Sequence, residues 1–156
     1  MEIDEQFTII KAESDKKQYL PLLLTGDESE SMINRYIDRG TLYVGMLNGK
    51  PIAVCVTVVL DTDTIEIKNL AVTTKFRRHG FGRRMLEYVE CQHPNSIIIL
   101  GTGETPSTLQ FYESCGYSYS HSIPNFFTDN YPAPIIEEGV RLRDMIYLKK
   151  DTHKQH

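Results

Sequence analysis

Two β-rich runs meet at Asn48-Gly49, and that dipeptide constrains the chain more than any other feature. Residues 41–47 and 51–60 are dominated by β-branched and other apolar residues. Asn-Gly between such runs is a strong hairpin signal, because a type I′ turn needs positive φ at both central positions. Asp61-Thr62-Asp63 makes a second turn, and residues 64–72 read as the next strand. The middle of the chain is therefore a meander of three antiparallel strands.

Helical periods flank the meander. Phe7–Ala12 reads as a first strand, and residues 14–24 as a helix that Pro21 kinks or shortens. A second helix is expected where Thr25 and Glu28 fit a capping box, with Met32, Ile33, Tyr36 and Ile37 on one stripe and Gly40 as the stop. After the meander, a helix over 80–91 places Gly82, Met85, Leu86 and Val89 inward and Arg83, Arg84, Glu87 and Glu90 outward. His93-Pro94-Asn95 ends it. Residues 96–100 form a continuously apolar strand, 106–115 a helix stopped by Gly116, and 117–123 and 145–149 two more strands. A Pro-rich segment, 124–144, lies between the last two. This order predicts an α/β fold with a mixed, largely antiparallel sheet flanked by helices. No repeat or linker interrupts the 156 residues, so residues 1–156 read as a single domain.

Composition removes several classes. A chain that is 40% hydrophobic and 24% charged is globular rather than disordered. Seventeen basic against 21 acidic residues, a formal charge of −4, argue against a general nucleic-acid binder. The longest apolar run, 51–60, is too short to span a membrane, and the acidic start Met1-Glu2-Ile3-Asp4-Glu5 is no signal peptide. Three cysteines without a Cys-x-x-Cys pair read as free thiols in a reducing compartment. Five scattered histidines lack metal-ligand spacing. A cytoplasmic protein without a metal is expected.

The segment Arg77-Arg78-His79-Gly80-Phe81-Gly82 stands between an apolar strand and an amphipathic helix. Glycines there let backbone N–H groups approach a ligand, and those groups with the positive helix end favour a phosphate or pyrophosphate. Arg77, Arg78 and Arg83 would add charge-assisted bonds. The plainer reading is a Gly-rich turn with solvated arginines. The chain has no Gly-Lys-Ser/Thr for a Walker loop and no third glycine for a dinucleotide fingerprint. A second glycine pair, in Gly101-Thr102-Gly103-Glu104-Thr105-Pro106, reads as a tight strand-to-helix turn.

Asn69-Leu70-Ala71-Val72 followed by Arg77-x-x-Gly80-x-Gly82 resembles the cofactor motif of the GCN5-related N-acetyltransferases (GNAT). Phe111-Tyr112 with Gly116-Tyr117 matches that family's second signature, and the spacing between the two also agrees. The resemblance covers about residues 41–123. It implies a GNAT acyltransferase fold and acetyl coenzyme A (acetyl-CoA) as the acetyl-donor cosubstrate. Backbone groups of Leu70, Ala71 and Val72 would pair with the pantetheine arm. Arg77, Arg78, His79, Gly80, Phe81, Gly82 and Arg83 would hold the pyrophosphate. Many members have Asn where this chain has Thr105.

Two side chains are expected to carry the chemistry. An amine acceptor must lose a proton before it attacks a thioester, and a carboxylate on the thioester-bearing strand could take it. Strand alternation places Glu66, Lys68, Leu70 and Val72 on one face, and Glu66 occupies a position that supplies the base in histone-type members. Its plainer reading is a surface residue paired with Lys68. Tyr112 would protonate the departing sulfur, or else be a core aromatic beside Leu109 and Gly116. Cys115 and Cys55 read as packing. The 124–144 segment reads as a semi-rigid aromatic and acidic wall selecting a cationic amine, or as a plain surface loop. The expected reaction is acetyl transfer to a primary amine, of a small molecule, peptide or protein, by direct attack in a ternary complex. A non-catalytic acyl-CoA binding module and a nucleotide- or phosphate-binding protein are the rivals. Because family members are often dimers, a homodimer is compatible with this reading.

Overall fold

A hairpin turn with positive φ at two successive residues holds the first strands together. In the computed structural model, which describes residues 6–154, φ is 50° at Asn48 and 84° at Gly49. Strands β1 (Phe7–Ala12), β2 (Thr41–Leu47), β3 (Lys50–Val59) and β4 (Thr64–Val72) pair antiparallel in sequence order. Strand β5 (Ile97–Thr102) then joins β4 in parallel. Strand β6 (Ser118–Ile123) is an edge of the sheet, separated from β5 by the last strand. A small hairpin of β7 (Ile136–Glu137) and β8 (Val140–Arg141) precedes β9 (Met145–Asp151), and the described residues form a seven-stranded sheet in the order β1-β2-β3-β4-β5-β9-β6. This is the mixed, mostly antiparallel sheet that the sequence predicts. The acidic start, residues 1–5, lies outside the described residues. No helix among the described residues is long and apolar enough to cross a membrane.

Helices cover both faces. Helices α1 (Leu20–Gly26) and α2 (Glu30–Asn34) bring Leu23 and Ile33, with the nearby Tyr36 and Ile37, onto Val44, Val54, Val56, Val58 and Ala71. On the opposite face, α3 (Phe81–Gln92) and α4 (Pro106–Ser114) pack Met85, Leu86, Val89 and Tyr112 against Cys55, Ile65, Ile67, Ile98 and Leu100. Burial of side chains of this size contributes roughly 1.5–3 kcal/mol each, so the two cores dominate stability.

One extra residue breaks the alternation of β4. Val56 opposes Asn69 but Thr57 opposes Ile67, so Lys68 is a bulge without a partner on β3. Cross-strand partners share a face. Glu66 opposite Val58 and Asn69 opposite Val56 therefore face α1 and α2, whereas Leu70, opposite Cys55, and Val72 pack toward α3. The expectation that Glu66, Lys68, Leu70 and Val72 share one face is overturned, because period-2 alternation cannot register an inserted residue.

Other departures have local causes. Ser29, not Thr25, caps α2, its Oγ accepting from Met32 N at 3.2 Å, while Thr25 lies within α1 and donates to Pro21 O. Pro21 sits in the first turn of α1, where its missing N–H costs nothing, and a 3-10 turn (Lys16–Tyr19) precedes it. Gly101 and Thr102 continue β5 rather than forming a turn. The 124–144 segment contains α5 (Phe126–Asn130) and the β7–β8 hairpin.

Glu90, expected on the outer face of α3, is 3% exposed. Its Oε1 accepts from Lys150 Nζ at 2.9 Å and its Oε2 from the Tyr117 hydroxyl at 2.9 Å, while Lys150 also donates to Cys115 O at 2.9 Å. Removing one member of such a buried pair costs about 3 kcal/mol, because the other charge stays desolvated. Lys150→Met should lower unfolding stability by about that amount in urea titrations, and adding Glu90→Leu should recover part of the loss. A single variant as stable as the wild type would show that the pair is solvated.

Candidate active site

Strands β4 and β5 pair from Thr64 opposite Ile97 to Ile67 opposite Leu100, and there the pairing ends. The bulge at Lys68 follows at once. Residues 68–72 therefore diverge from β5 and leave a cleft at its mouth. Leu70, Ala71 and Val72 pair with β3 on one side, opposite Cys55, Val54 and Ala53, and among the described residues no strand pairs with them on the other. Their free backbone edge suits an extended, amide-bearing ligand, for the same reason that a sheet edge accepts a strand.

The loop after β4 is shaped by backbone rather than side chains. Arg78 has φ 66° and Gly80 φ 85°, and no side-chain hydrogen bond caps α3. The first helical bond runs from Arg84 N to Gly80 O. The first-turn N–H groups of Phe81, Gly82 and Arg83 thus point out of the helix end, where the dipole favours an anion. A Cβ on Gly80 would meet nothing within 4 Å, so the approach is open. Arg77, Arg78 and His79 are exposed, with Arg77 Nε donating to Val72 O at 3.3 Å and His79 Nδ1 2.9 Å from Arg77 O.

Three of the predicted site residues have structural duties as well. The Phe81 ring is buried against Phe7, with ring centroids 4.7 Å apart, and also meets the loop rings of Phe76 and His79, at 6.2 and 6.3 Å. A Cβ on Gly82 would stand 3.1 Å from the Phe111 ring, so this glycine allows α3 to approach α4 closely. Arg83 Nη2 donates to Ser114 O at 3.1 Å and to Ser114 Oγ at 3.0 Å, which ties its guanidinium to the end of α4.

Tyr112 and Glu66 lie on opposite faces of the sheet. Tyr112 is buried between the rings of Phe111 and Tyr117, at 5.1 and 6.1 Å. Burial, with smaller contributions from the Cys55 and Cys115 thiols, holds its hydroxyl well above the ordinary tyrosine range, so it stays protonated and able to donate. Glu66 is 7% exposed and faces the α1 side. Its Oε2 accepts from the Tyr147 hydroxyl at 3.0 Å and lies 3.2 Å from Lys68 Nζ. Thr105, at the start of α4, is buried and donates to Thr108 Oγ1 at 3.1 Å.

Sequence reasoning missed Tyr147 and a polar clasp beside it. Asn69 Nδ2 donates to Leu23 O at 2.9 Å and to the Tyr36 hydroxyl at 3.1 Å, and Tyr36 donates to Asp27 Oδ2 at 3.1 Å. Tyr131 reaches across from the 124–144 segment and donates to Asp27 Oδ1 at 2.8 Å. Burial first, and then the Asp27 charge, raise the Tyr36 hydroxyl above its ordinary range. The one available signal was Asn69, a polar residue inside an apolar strand. Among the described residues no group of three or more His, Cys, Asp or Glu is placed to hold a metal.

The cysteines are arranged as packing groups. Cys55 is fully buried, which pushes its thiol up to about 12, and burial also raises Cys115, which is 6% exposed. Of the three thiols, only Cys91 is exposed. A disulfide-exchange reagent should therefore label Cys91 alone in the native protein, and Cys55 and Cys115 only after denaturation. Fast native labelling of Cys115 would show an accessible, reactive thiol rather than a packing group.

The sequence and the fold both have counterparts among known proteins. A family model described as an acetyltransferase (GNAT) domain matches residues 38–119. The N-acetyltransferase YvbK of Bacillus subtilis is 28% identical over 151 residues, which cover 94% of this chain and 97% of that protein. A crystal structure of a GNAT family acetyltransferase from Elizabethkingia anophelis, with acetyl-CoA bound, superposes with a TM-score of 0.88 at 34% identity, covering 93% of this chain and 97% of that one. An IAA acetyltransferase from Bacillus cereus superposes with a TM-score of 0.86 at 32% identity, covering 94% and 99%. The matched span runs through the meander, the Arg77-to-Gly82 loop and α4, and on these grounds the chain belongs to the GNAT acetyltransferase family.

Proposed function

We propose that this chain moves acetyl from acetyl-CoA directly to a primary amine within a ternary complex. The observation that carries the reading is the placement of Glu66 and Tyr112 on opposite faces of the sheet, beside the divergence of β4 from β5. Direct transfer needs a proton acceptor on the attacking side and a proton donor on the leaving side. A bare binding module needs neither.

Bound acetyl-CoA supplies the acetyl thioester, and the residues present fit it. The uncapped end of α3 and the exposed Arg77 and Arg78 suit a pyrophosphate, and the open edge of Leu70 to Val72 suits the amides of a pantetheine arm. The bound acetyl-CoA of the Elizabethkingia anophelis relative supports the same choice of donor. Backbone N–H groups near Val72 would stabilise negative charge on the carbonyl oxygen. Glu66 takes the proton of the amine as the C–N bond forms. Tyr112 gives a proton to sulfur as the C–S bond breaks.

The acceptor side is acidic. Asp27 and Glu28, between α1 and α2, and Glu137 of β7 supply the carboxylates, and partial burial, then the charges of Glu28 and Glu138, raise Glu137 above the usual carboxylate range, with Arg77 opposing. This supports a cationic amine as acceptor, with the 124–144 segment as one wall held by Tyr131.

Arg78→Glu should weaken acetyl-CoA binding about tenfold in calorimetry without altering the fold, since the side chain is exposed and the loss is one charge-assisted contact. Unchanged affinity would move the pyrophosphate elsewhere. Glu66→Gln and Tyr112→Phe should each lower kcat roughly 10²-fold at neutral pH in a thiol-release assay across a panel of primary amines. The Glu66 variant should recover at high pH, where the amine is already neutral. Wild-type rates at every pH in both variants would leave only the donor-binding part of the reading.

A further inference from the structure

Tyr147 reaches Glu66 by crossing an intervening strand. It lies on β9, directly opposite Gly101 of β5, and β5 separates β9 from β4. A side chain on residue 101 would block the path. A Cβ there would stand 2.4 Å from Met145 Sδ and 3.1 Å from the tip of the Tyr147 ring. The glycine thus leaves a gap in the middle strand, and the phenol lies across it to donate to Glu66 Oε2 at 3.0 Å. The ring is also steadied from the far side. His121 of β6 stacks on it with centroids 4.7 Å apart and planes 3° from parallel.

We propose that Tyr147 is a positioning residue for the reaction: seated in the Gly101 gap and stacked on His121, it fixes the Glu66 carboxylate at the mouth of the cleft. The proposal rests on Glu66 as the base. A carboxylate with two free torsions beyond Cβ samples many rotamers, and a base 1 Å out of place loses much of its effect. Lys68 Nζ, 3.2 Å away on the bulge, is a second hold but a weaker one, because a flexible ammonium fixes direction poorly. Tyr147 is well suited to donate only. Burial, then the charge of Glu66 and the hydrogen bond to it, raise its hydroxyl above the ordinary tyrosine range, so the proton remains on the phenol.

The test is a double-mutant cycle on the full chain, read as thiol release from acetyl-CoA with the fastest amine of the panel, and with thermal melts to verify folding. Tyr147→Phe keeps the ring and its stack and removes one oxygen. It should lower kcat about tenfold, as for one lost hydrogen bond to a charged group, with the acetyl-CoA KM unchanged. Gly101→Ala, which crowds the ring, should reproduce that loss. Placed in a Glu66→Gln background, Tyr147→Phe should cost less than twofold more, because a residue that acts only through Glu66 has nothing left to position. An equal loss in both backgrounds would overturn the proposal and give Tyr147 an independent role. A wild-type rate for Tyr147→Phe would also overturn it, even where Glu66→Gln is slow and the base reading stands. If Glu66→Gln itself turned over normally, the base reading would fail and this proposal with it.

Discussion

Lys68 has no partner on β3, and the consequences of that one bulge reach most of the site. A bulge raises local twist and bends its strand. Here it comes directly after the last paired residues of β4 and β5, Ile67 and Leu100, so the strands part where the extra residue enters. The parting frees one backbone edge of residues 70–72. The inserted residue also exchanges the faces on either side of itself, sending Glu66 toward α1 and Leu70 toward α3. One residue therefore opens the cleft and leaves Glu66 and Tyr112 on opposite faces of the sheet.

The cleft keeps its shape because its walls are tied by polar contacts rather than by packing alone. Asp27 gathers the hydroxyls of Tyr36 and Tyr131 and so joins the 124–144 segment to the α1 side over 104 residues of sequence. Arg83 and Lys150 hold Ser114 O and Cys115 O at the end of α4, the helix that carries Tyr112. Carbonyls at a helix end lack intrahelical partners, so two cations there both satisfy them and oppose the negative end of the dipole. Arg83 thus links the first turn of α3 to the end of the helix that carries Tyr112.

Much of this was legible in the amino acids. Asn48-Gly49, the Arg77-to-Gly82 spacing and the Phe111-Tyr112 pair report on short-range geometry, which a linear pattern encodes well, and they led to the meander, the loop and the family. What was not legible depends on insertions and on distance. Alternation along β4 gave the wrong face for Leu70 and Val72 relative to Glu66, because no residue type marks a bulge at Lys68. The charge of Glu90 suggests an outward position, although its place four residues after Leu86 puts it on the buried stripe, where Lys150 satisfies it from 60 residues away. Tyr147 stands in no motif, and Gly101, whose pairing with Gly103 suggests a turn, instead continues β5. A glycine that makes room for a ring two strands from its target is visible only once the strand order is known.

Under the proposed reaction, amine and thioester meet in one cleft and react without an enzyme-bound acetyl group. Initial rates measured at several fixed amine concentrations while acetyl-CoA is varied test it most directly. The geometry described here predicts double-reciprocal lines that intersect, and no acetylated protein after incubation with acetyl-CoA alone. Parallel lines, with an acetyl group carried on a side chain of the protein, would point instead to a covalent intermediate.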